Sequence, residues 1–265
     1  MIQLFTYREL ISLMVVRDVK IRYKGSILGF VWTLLNPLAM MLVFSAVFTF
    51  MVPTNEIPNY PLYILCGLLP WNYLANGLLT GTGSIVGNGV LIKKVHFPRE
   101  ILPISSVFAQ LVSFLLALVV LFVAIVFFQA PFSAWLWLLP VVILMQTFFI
   151  LGLTFILTTI NVFYRDVTMI LDVFVLAWFF LTPVFYPMDI LPASYELFGI
   201  SLNIHRLMYI LNPMASLINT YRDILYWGYR TDLDFFIRTC ITSLIVFGIG
   251  YWIFNRYSAR FGEEV

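Results

Sequence analysis

Charge is what this sequence has least of. Of its 265 residues, 11% are Asp, Glu, Lys or Arg and 62% are hydrophobic, and the mean hydropathy is +0.98. Soluble domains carry about 25% charged residues. So little polar surface cannot cover a water-facing exterior, which excludes a soluble enzyme, a nucleic-acid binder and a disordered chain. Cysteine is nearly missing: Cys66 and Cys240, both in apolar stretches, leave neither a disulfide framework nor a thiolate metal site. The two histidines have no partner at metal-ligand spacing. No G-x-x-x-x-G-K-[ST] string and no Gly-Lys dipeptide occur, so the chain lacks the loop that cradles ATP phosphates. Mid-membrane carboxylates, which ion-driven carriers need, are absent too: Asp172 falls near one end of an apolar run and Arg238 near one end of another. These absences argue against ion coupling, built-in ATP hydrolysis and catalysis, and they predict no catalytic and no metal-binding residue.

What is present is apolar length. Six runs, about 27–52, 62–86, 104–128, 134–160, 169–186 and 235–254, approach or exceed the roughly 20 residues that cross a bilayer as helix. Hydrocarbon forces the backbone to satisfy its own hydrogen bonds, so such runs read as helices. The expectation is an all-α integral membrane protein of six spans forming a single domain, 1–265. It divides into an interface helix (1–26), spans one to five (27–186), an external segment (187–234), span six (235–254) and a tail (255–265). Lys and Arg set the orientation. Eleven lie before span one, between spans two and three, between four and five, or after six, whereas the short loops 53–61 and 129–133 have none. Both termini are therefore expected in the cytoplasm. Five basic residues precede the first apolar run and no small-residue cleavage site follows it, so the start does not read as a secretory signal.

Between the spans lie three segments of interest. In 1–24, Leu4, Tyr7, Ile11 and Met14 form a helical apolar stripe, with Arg17, Lys20 and Lys24 on a basic edge. A helix of this kind lies in the membrane interface with its cations among head groups. Those cations serve as a topological anchor or also meet an anionic substrate head group such as a pyrophosphate, for which Arg is well shaped. Loop 87–103 keeps a mixed basic and apolar patch between glycines and prolines, either a connector or a docking surface for a cytoplasmic partner; His96 stands alone in it. The external segment holds two helix-like stretches, 205–211 and 215–227, separated by Asn212-Pro213. Two short helices broken by a proline between spans fit a hairpin dipping partway into the membrane, as a lid or as an interfacial flap.

Inside the spans, Gly77, Gly81, Gly83 and Gly87 form small-x-x-x-small pairs that allow close helix approach. Asn36-Pro37, Pro70 and Thr182-Pro183 mark kinks or unwinding. Aromatics crowd spans one and five: Phe30, Trp32, Phe44 and Phe48, then Phe174, Trp178, Phe179, Phe180, Phe185 and Tyr186. They face lipid or line a conduit in which aromatic faces support sugar rings.

The stretch from Arg17 to Trp32 (RDVKIRYKGSILGFVW), followed by Leu35-Asn36-Pro37, resembles the opening of polysaccharide-exporting ABC transporter permeases, the membrane subunits that move lipid-linked O-antigen, teichoic acid or capsular polymers. Gly67-Leu68-Leu69-Pro70-Trp71, Asn161-Val162-Phe163-Tyr164-Arg165-Asp166, Thr182-Pro183-Val184-Phe185-Tyr186 and Leu211-Asn212-Pro213-Met214 agree in order, so the resemblance covers essentially the whole chain.

The resemblance implies a homodimer of this chain in a bacterial inner membrane, working with two ATPase subunits that hold ATP and Mg; no cofactor is expected on this chain. Arg17, Lys20, Arg22 and Lys24 become candidates for the substrate's pyrophosphate head group. Phe30, Trp32, Phe44, Phe48, Phe174, Trp178, Phe185 and Tyr186 become candidates for the channel wall. Lys93, Lys94, His96, Phe97, Arg99 and Glu100 match the loop that couples to the ATPase. Asn212, Pro213, Tyr221 and Tyr226 match an outer gate hairpin. A permease for drugs or small lipids, or a membrane-embedded transferase, are the competing readings.

Overall fold

The computed structural model describes residues 7–26, 28–51, 57–95, 97–131, 133–188, 194–197, 200–229 and 231–265. Helix α1 is Arg8–Tyr23, and a 3-10 turn at Gly29–Val31 leads into α2, Trp32–Met51. Next come α3 (Tyr60–Thr82), the short α4 (Ser84–Gly87) and α5 (Gly89–Lys94), and the long α6 (Ile101–Phe127). A 3-10 turn, Ala134–Leu138, opens α7 (Leu139–Phe163), and α8 is Val167–Leu181. Between α8 and the last long helix lie α9 (Ile204–Leu211), α10 (Pro213–Arg222) and a π turn, Asp223–Trp227. The chain ends with α11 (Leu233–Ser258) and α12 (Phe261–Glu264).

Polarity in this bundle runs inside-out. Gln110, Gln146, Thr158, Asn161 and Ser243 are buried, whereas Ile237, Ile241, Leu244, Ile245 and Ile249 of α11 are exposed. Exposed apolar faces of this size are stable only against lipid or another apolar surface. Four helical stretches, 60–82, 101–127, 134–163 and 233–258, are long and apolar enough to cross a membrane, while 32–47 and 167–181 are shorter apolar helices. The chain is therefore a multi-pass membrane protein.

Two sequence expectations change. The fifth run was expected helical over 169–186, yet α8 stops at Leu181. Pro183 disfavours helical backbone at the residue before it, and Thr182 is extended at φ −102°, ψ 135°. The all-α expectation also meets an exception: strands β1 (Ser194–Leu197) and β2 (Ile200–Asn203) pair antiparallel, with Ser194 opposite Asn203 and Leu197 opposite Ile200.

Helix α3 is the hub, packed by α2, α6, α7 and α10. Polar side chains stitch it to α7: Thr158 donates to the Gly81 carbonyl at 2.9 Å, Asn161 to Thr82 at 3.1 Å, and Gln146 to Pro70 at 2.7 Å. Small residues set the approach. A Cβ on Gly77 would stand 2.8 Å from Ile150, and one on Gly81 would collide with Thr154, so these two glycines do what their spacing predicts. Gly83 and Gly87 face open space instead and belong to the break between α3 and α5. The tightest crossing joins α7 and α11, where Gly250 lies against the Gly152 carbonyl.

Candidate substrate path, gate and coupling surface

Helix α1 rests on the N-terminal part of α6, as its apolar stripe requires: Met14 is buried against Ser105, and Tyr7, Leu10 and Ile11 pack against the core. Leu4, the first residue of the predicted stripe, lies outside the described residues. The opposite edge carries the cations. Arg17 pairs with Asp18 at 2.8 Å and donates to Asn88 Oδ1 at 3.2 Å; Arg22 donates to Ser113 Oγ at 3.3 Å. Both arginines line a cavity of about 460 Å³ together with Asp18, and Thr80, Ser84, Asn88, Ser106 and Gln110 supply the rest of its polar lining. Lys20 and Lys24 are exposed and line neither this cavity nor the next. Of the four predicted cations, two converge, and Arg17 already shares its charge with Asp18.

A second cavity, about 370 Å³, shares Arg22, Thr80 and Gln110 with the first and continues between α2, α3 and α6. Apart from Arg22 its polar lining is uncharged: Thr33, Asn36, Asn72, Asn76, Thr80, Gln110 and Ser113, beside Trp32, Tyr73 and Phe114. A ladder of bonds orders it. Gln110 donates to Thr80 Oγ1 at 3.2 Å, Thr80 to the Asn76 carbonyl at 2.6 Å, and Asn76 to the Asn72 carbonyl at 2.8 Å. Sequence reading missed these residues because it searched the spans for charge. The signal was Asn72, Asn76 and Thr80, four apart on one stripe of a helix.

The predicted channel aromatics separate into groups. Trp32 lines the second cavity, and Phe174 is exposed on α8. Phe44, Phe179 and Phe185 form a packed cluster, with centroids 5.9 Å apart for Phe44–Phe179, 6.5 Å for Phe44–Phe185 and 5.7 Å for Phe179–Phe185. Trp178 packs on Trp71 and donates its indole N–H to Asn212 at 3.0 Å. Tyr186 hydroxyl bonds the Phe180 carbonyl at 3.3 Å. The side chains of Phe30 and Phe48 lie outside the described residues.

Beyond Leu181 the chain is no longer helical, so its carbonyls need donors from elsewhere. The hairpin and α3 supply them. Arg222 donates to Pro183 at 2.7 Å and also to Val184; Tyr60 donates to Phe185 at 2.6 Å and Tyr63 to Tyr186 at 3.3 Å. Arg222 is buried, its guanidinium carbon 3.6 Å from the Tyr63 ring centroid. Gly67 makes room, since a Cβ there would stand 2.8 Å from the guanidinium. Asn212 ties the hairpin to the same segment, donating to Thr182 Oγ1 at 2.8 Å while its own Oδ1 caps α10. Pro213 occupies the first position of α10, where its missing N–H costs nothing. Tyr221 donates to Gln146 Oε1 at 2.8 Å, and Tyr226 donates to the Pro58 carbonyl. All four predicted gate residues make packing or hydrogen-bond contacts here, but Arg222, the centre of the clasp, is not among the residues that the sequence singles out.

On the opposite end, α5 exposes Lys93 and Lys94 with Val90 beside them. Phe97, Arg99 and Glu100 are half-buried, and His96 lies outside the described residues. Arg99 turns inward and donates to the Ser258 carbonyl at the end of α11. Residues 255–265, expected as a tail beyond span six, instead continue α11 to Ser258 and fold back as α12 against this end. Phe261 is buried against Phe254 and Phe163, and Gly89 of α5 abuts Val265.

No group of three or more His, Cys, Asp or Glu positioned to hold a metal occurs among the described residues. The geometry is thus a pair of adjacent cavities, a clasp around the segment after α8 and a basic first helix. Residues 9–226 match the ABC-2 type transporter family. The chain is 36% identical to the O-antigen export system permease protein RfbA of Myxococcus xanthus, over 99% of this chain and 98% of that one. It is 30% identical to a Klebsiella pneumoniae protein of the same name, over 96% of this chain and 94% of the relative. The chain belongs to the ABC-2 type transporter family and is the membrane subunit of an ABC transporter, not an enzyme.

Proposed function

We propose that this subunit exports a lipid-linked polysaccharide of the O-antigen class across a bacterial inner membrane. The observation that carries the reading is the pair of adjacent cavities, which share Arg22, Thr80 and Gln110. A site holding Arg17 and Arg22 at the level of the interface helix suits a lipid pyrophosphate, and it continues into a space walled by uncharged amides and hydroxyls that suit a neutral glycan. The near end-to-end relatives, which are named for O-antigen export, support the substrate class.

The rest of the reading follows. Six spans, with α2 and α8 completing the four long helices, put both termini in the cytoplasm. The hairpin re-enters the membrane. Tyr221 meets Gln146, which holds Pro70, ten residues into α3 and so about 15 Å from its outer end at 1.5 Å per residue. Leu42 and Val43 of α2 and Ile170 and Val173 of α8 are exposed apolar residues on the two shorter helices. Two copies pairing through these helices across a two-fold axis would give the wide path that a polymer needs. ATP and Mg belong to two partner ATPase subunits that dock on α5. In the cycle, Arg17 and Arg22 hold the head group, ATPase closure pushes α5, and the glycan leaves beneath the hairpin.

The test is ATP turnover by the purified complex in lipid discs. A lipid-linked glycan is expected to stimulate it, and Arg17→Gln with Arg22→Gln to raise the half-maximal concentration about tenfold or more. Stimulation by amphiphilic drugs with no response to the glycolipid would move the assignment to a small-molecule permease.

A further inference from the structure

We infer that the cavity between α2, α3 and α6 is a saccharide-binding seat that reads the first sugars behind the head group, with Asn36, Asn76 and Gln110 as specificity-determining residues. This rests on the export reading above. Amides inside an apolar bundle are costly unless partnered or opened to a polar space. Here Gln110 is buried and only partly partnered, while Asn36 and Asn76 are exposed where the cavity opens. Gln110 is 3% exposed, spends one donor on Thr80, and its Oε1 accepts nothing among the described residues. Asn76 commits its Nδ2 to the Asn72 carbonyl, leaving Oδ1 open to the cavity. Asn36 makes no side-chain hydrogen bond among the described residues and stands one turn along α2 from Trp32, which is 48% exposed.

That combination has a definite ligand chemistry. Open carbonyl acceptors take hydroxyl or acetamido N–H donors, the Asn36 amide both donates and accepts, and an accessible indole face packs against sugar C–H groups. Acyl chains would leave these amides unpaired, and an anionic glycan would find no cation except Arg22 at the inner end. A volume near 370 Å³ holds one or two sugar rings, not a polymer. The seat therefore recognises the reducing end of a neutral glycan while Arg22 retains the pyrophosphate.

The test uses the whole transporter with its ATPase in lipid discs and two probes: a polyprenyl pyrophosphate, and the same lipid carrying a neutral trisaccharide. The readout is the half-maximal concentration for stimulated ATP turnover. In the unaltered protein the glycosylated probe is expected to act at about tenfold lower concentration, the size of one or two hydrogen bonds. Asn36→Ala and Gln110→Leu should each erase most of that advantage while the sugarless probe keeps its response. Asn36 supports no other residue, so Asn36→Ala stays informative if Gln110→Leu fails to assemble. Equal potency of the two probes on the unaltered protein, or a ratio unchanged in Asn36→Ala, overturns the seat but leaves the head-group reading standing. No response to either probe overturns both.

Discussion

At the scale of single residues, the outer clasp concentrates the energetics. Arg222 is a buried cation in no ion pair among the described residues, held by two carbonyls and a tyrosine face. Replacing it with Met leaves the Pro183 and Val184 carbonyls without donors, at about 1–3 kcal/mol each. Arg222→Met is expected to lower thermal stability in detergent strongly, and Arg222→Lys by less, because one ammonium reaches one carbonyl. Equal melting temperatures for the three proteins would show that the clasp carries no weight. Next door, burial pushes the Asp223 carboxyl up to about 6, with Asp232 adding to the rise and the Thr231 hydrogen bond and Arg222 opposing it. A carboxyl raised above its unfolded value of about 3.9 holds its proton more tightly in the fold. The folded state therefore gains stability as pH falls from 7 towards 4 and loses it as pH rises through 6. Asp223→Asn should flatten that part of the stability profile; a slope identical to the parent's would remove Asp223 from the account.

At the scale of elements, packing is set by where side chains are missing. Gly250 lies against the Gly152 carbonyl, whereas Gly248, one step round α11, faces open space. Gly250→Leu must push α11 off α7 and is expected to cost about 3 kcal/mol or more, while Gly248→Leu should be near neutral. Comparing the two unfolding midpoints checks the crossing without changing composition. At the other end, α5 exposes Lys93 and Lys94, which the proposed reading gives to the ATPase, while Arg99 fastens the loop to α11. Lys93→Glu with Lys94→Glu should weaken ATPase capture in a pull-down and leave the melting temperature in place. Arg99→Ala should instead lower the melting temperature.

Much of this element layout is legible in the sequence. Apolar run lengths place the long helices to within a few residues, and the Met14 stripe and the Asn212-Pro213 break appear where periodicity and proline chemistry put them. The end of α8 was readable from Pro183, because that rule is local. The cavity ladder and Arg222 were not, for a different reason. Their meaning lies in which helices meet, and a lone Asn72 or Arg222 in the sequence carries no mark of its partners. The pairing of Gly152 with Gly250 is hidden in the same way, since the two residues come together only when α7 and α11 cross.

At the scale of the whole molecule, the proposed function rests on three features: the basic helix α1, the polar cavities beside α3, and the hairpin clasped by Arg222. None of them supplies energy, so motion has to come from the ATPase partner of an ABC transporter, which the proposed cycle applies near α5. The most direct measurement is translocation in sealed vesicles containing this chain and its ATPase, with a labelled lipid-linked glycan offered on the ATPase side. The account predicts label crossing only with both proteins and ATP present, and a severalfold slower rate in Arg22→Gln. Crossing by the chain without the ATPase, or at an undiminished rate in Arg22→Gln, would contradict it.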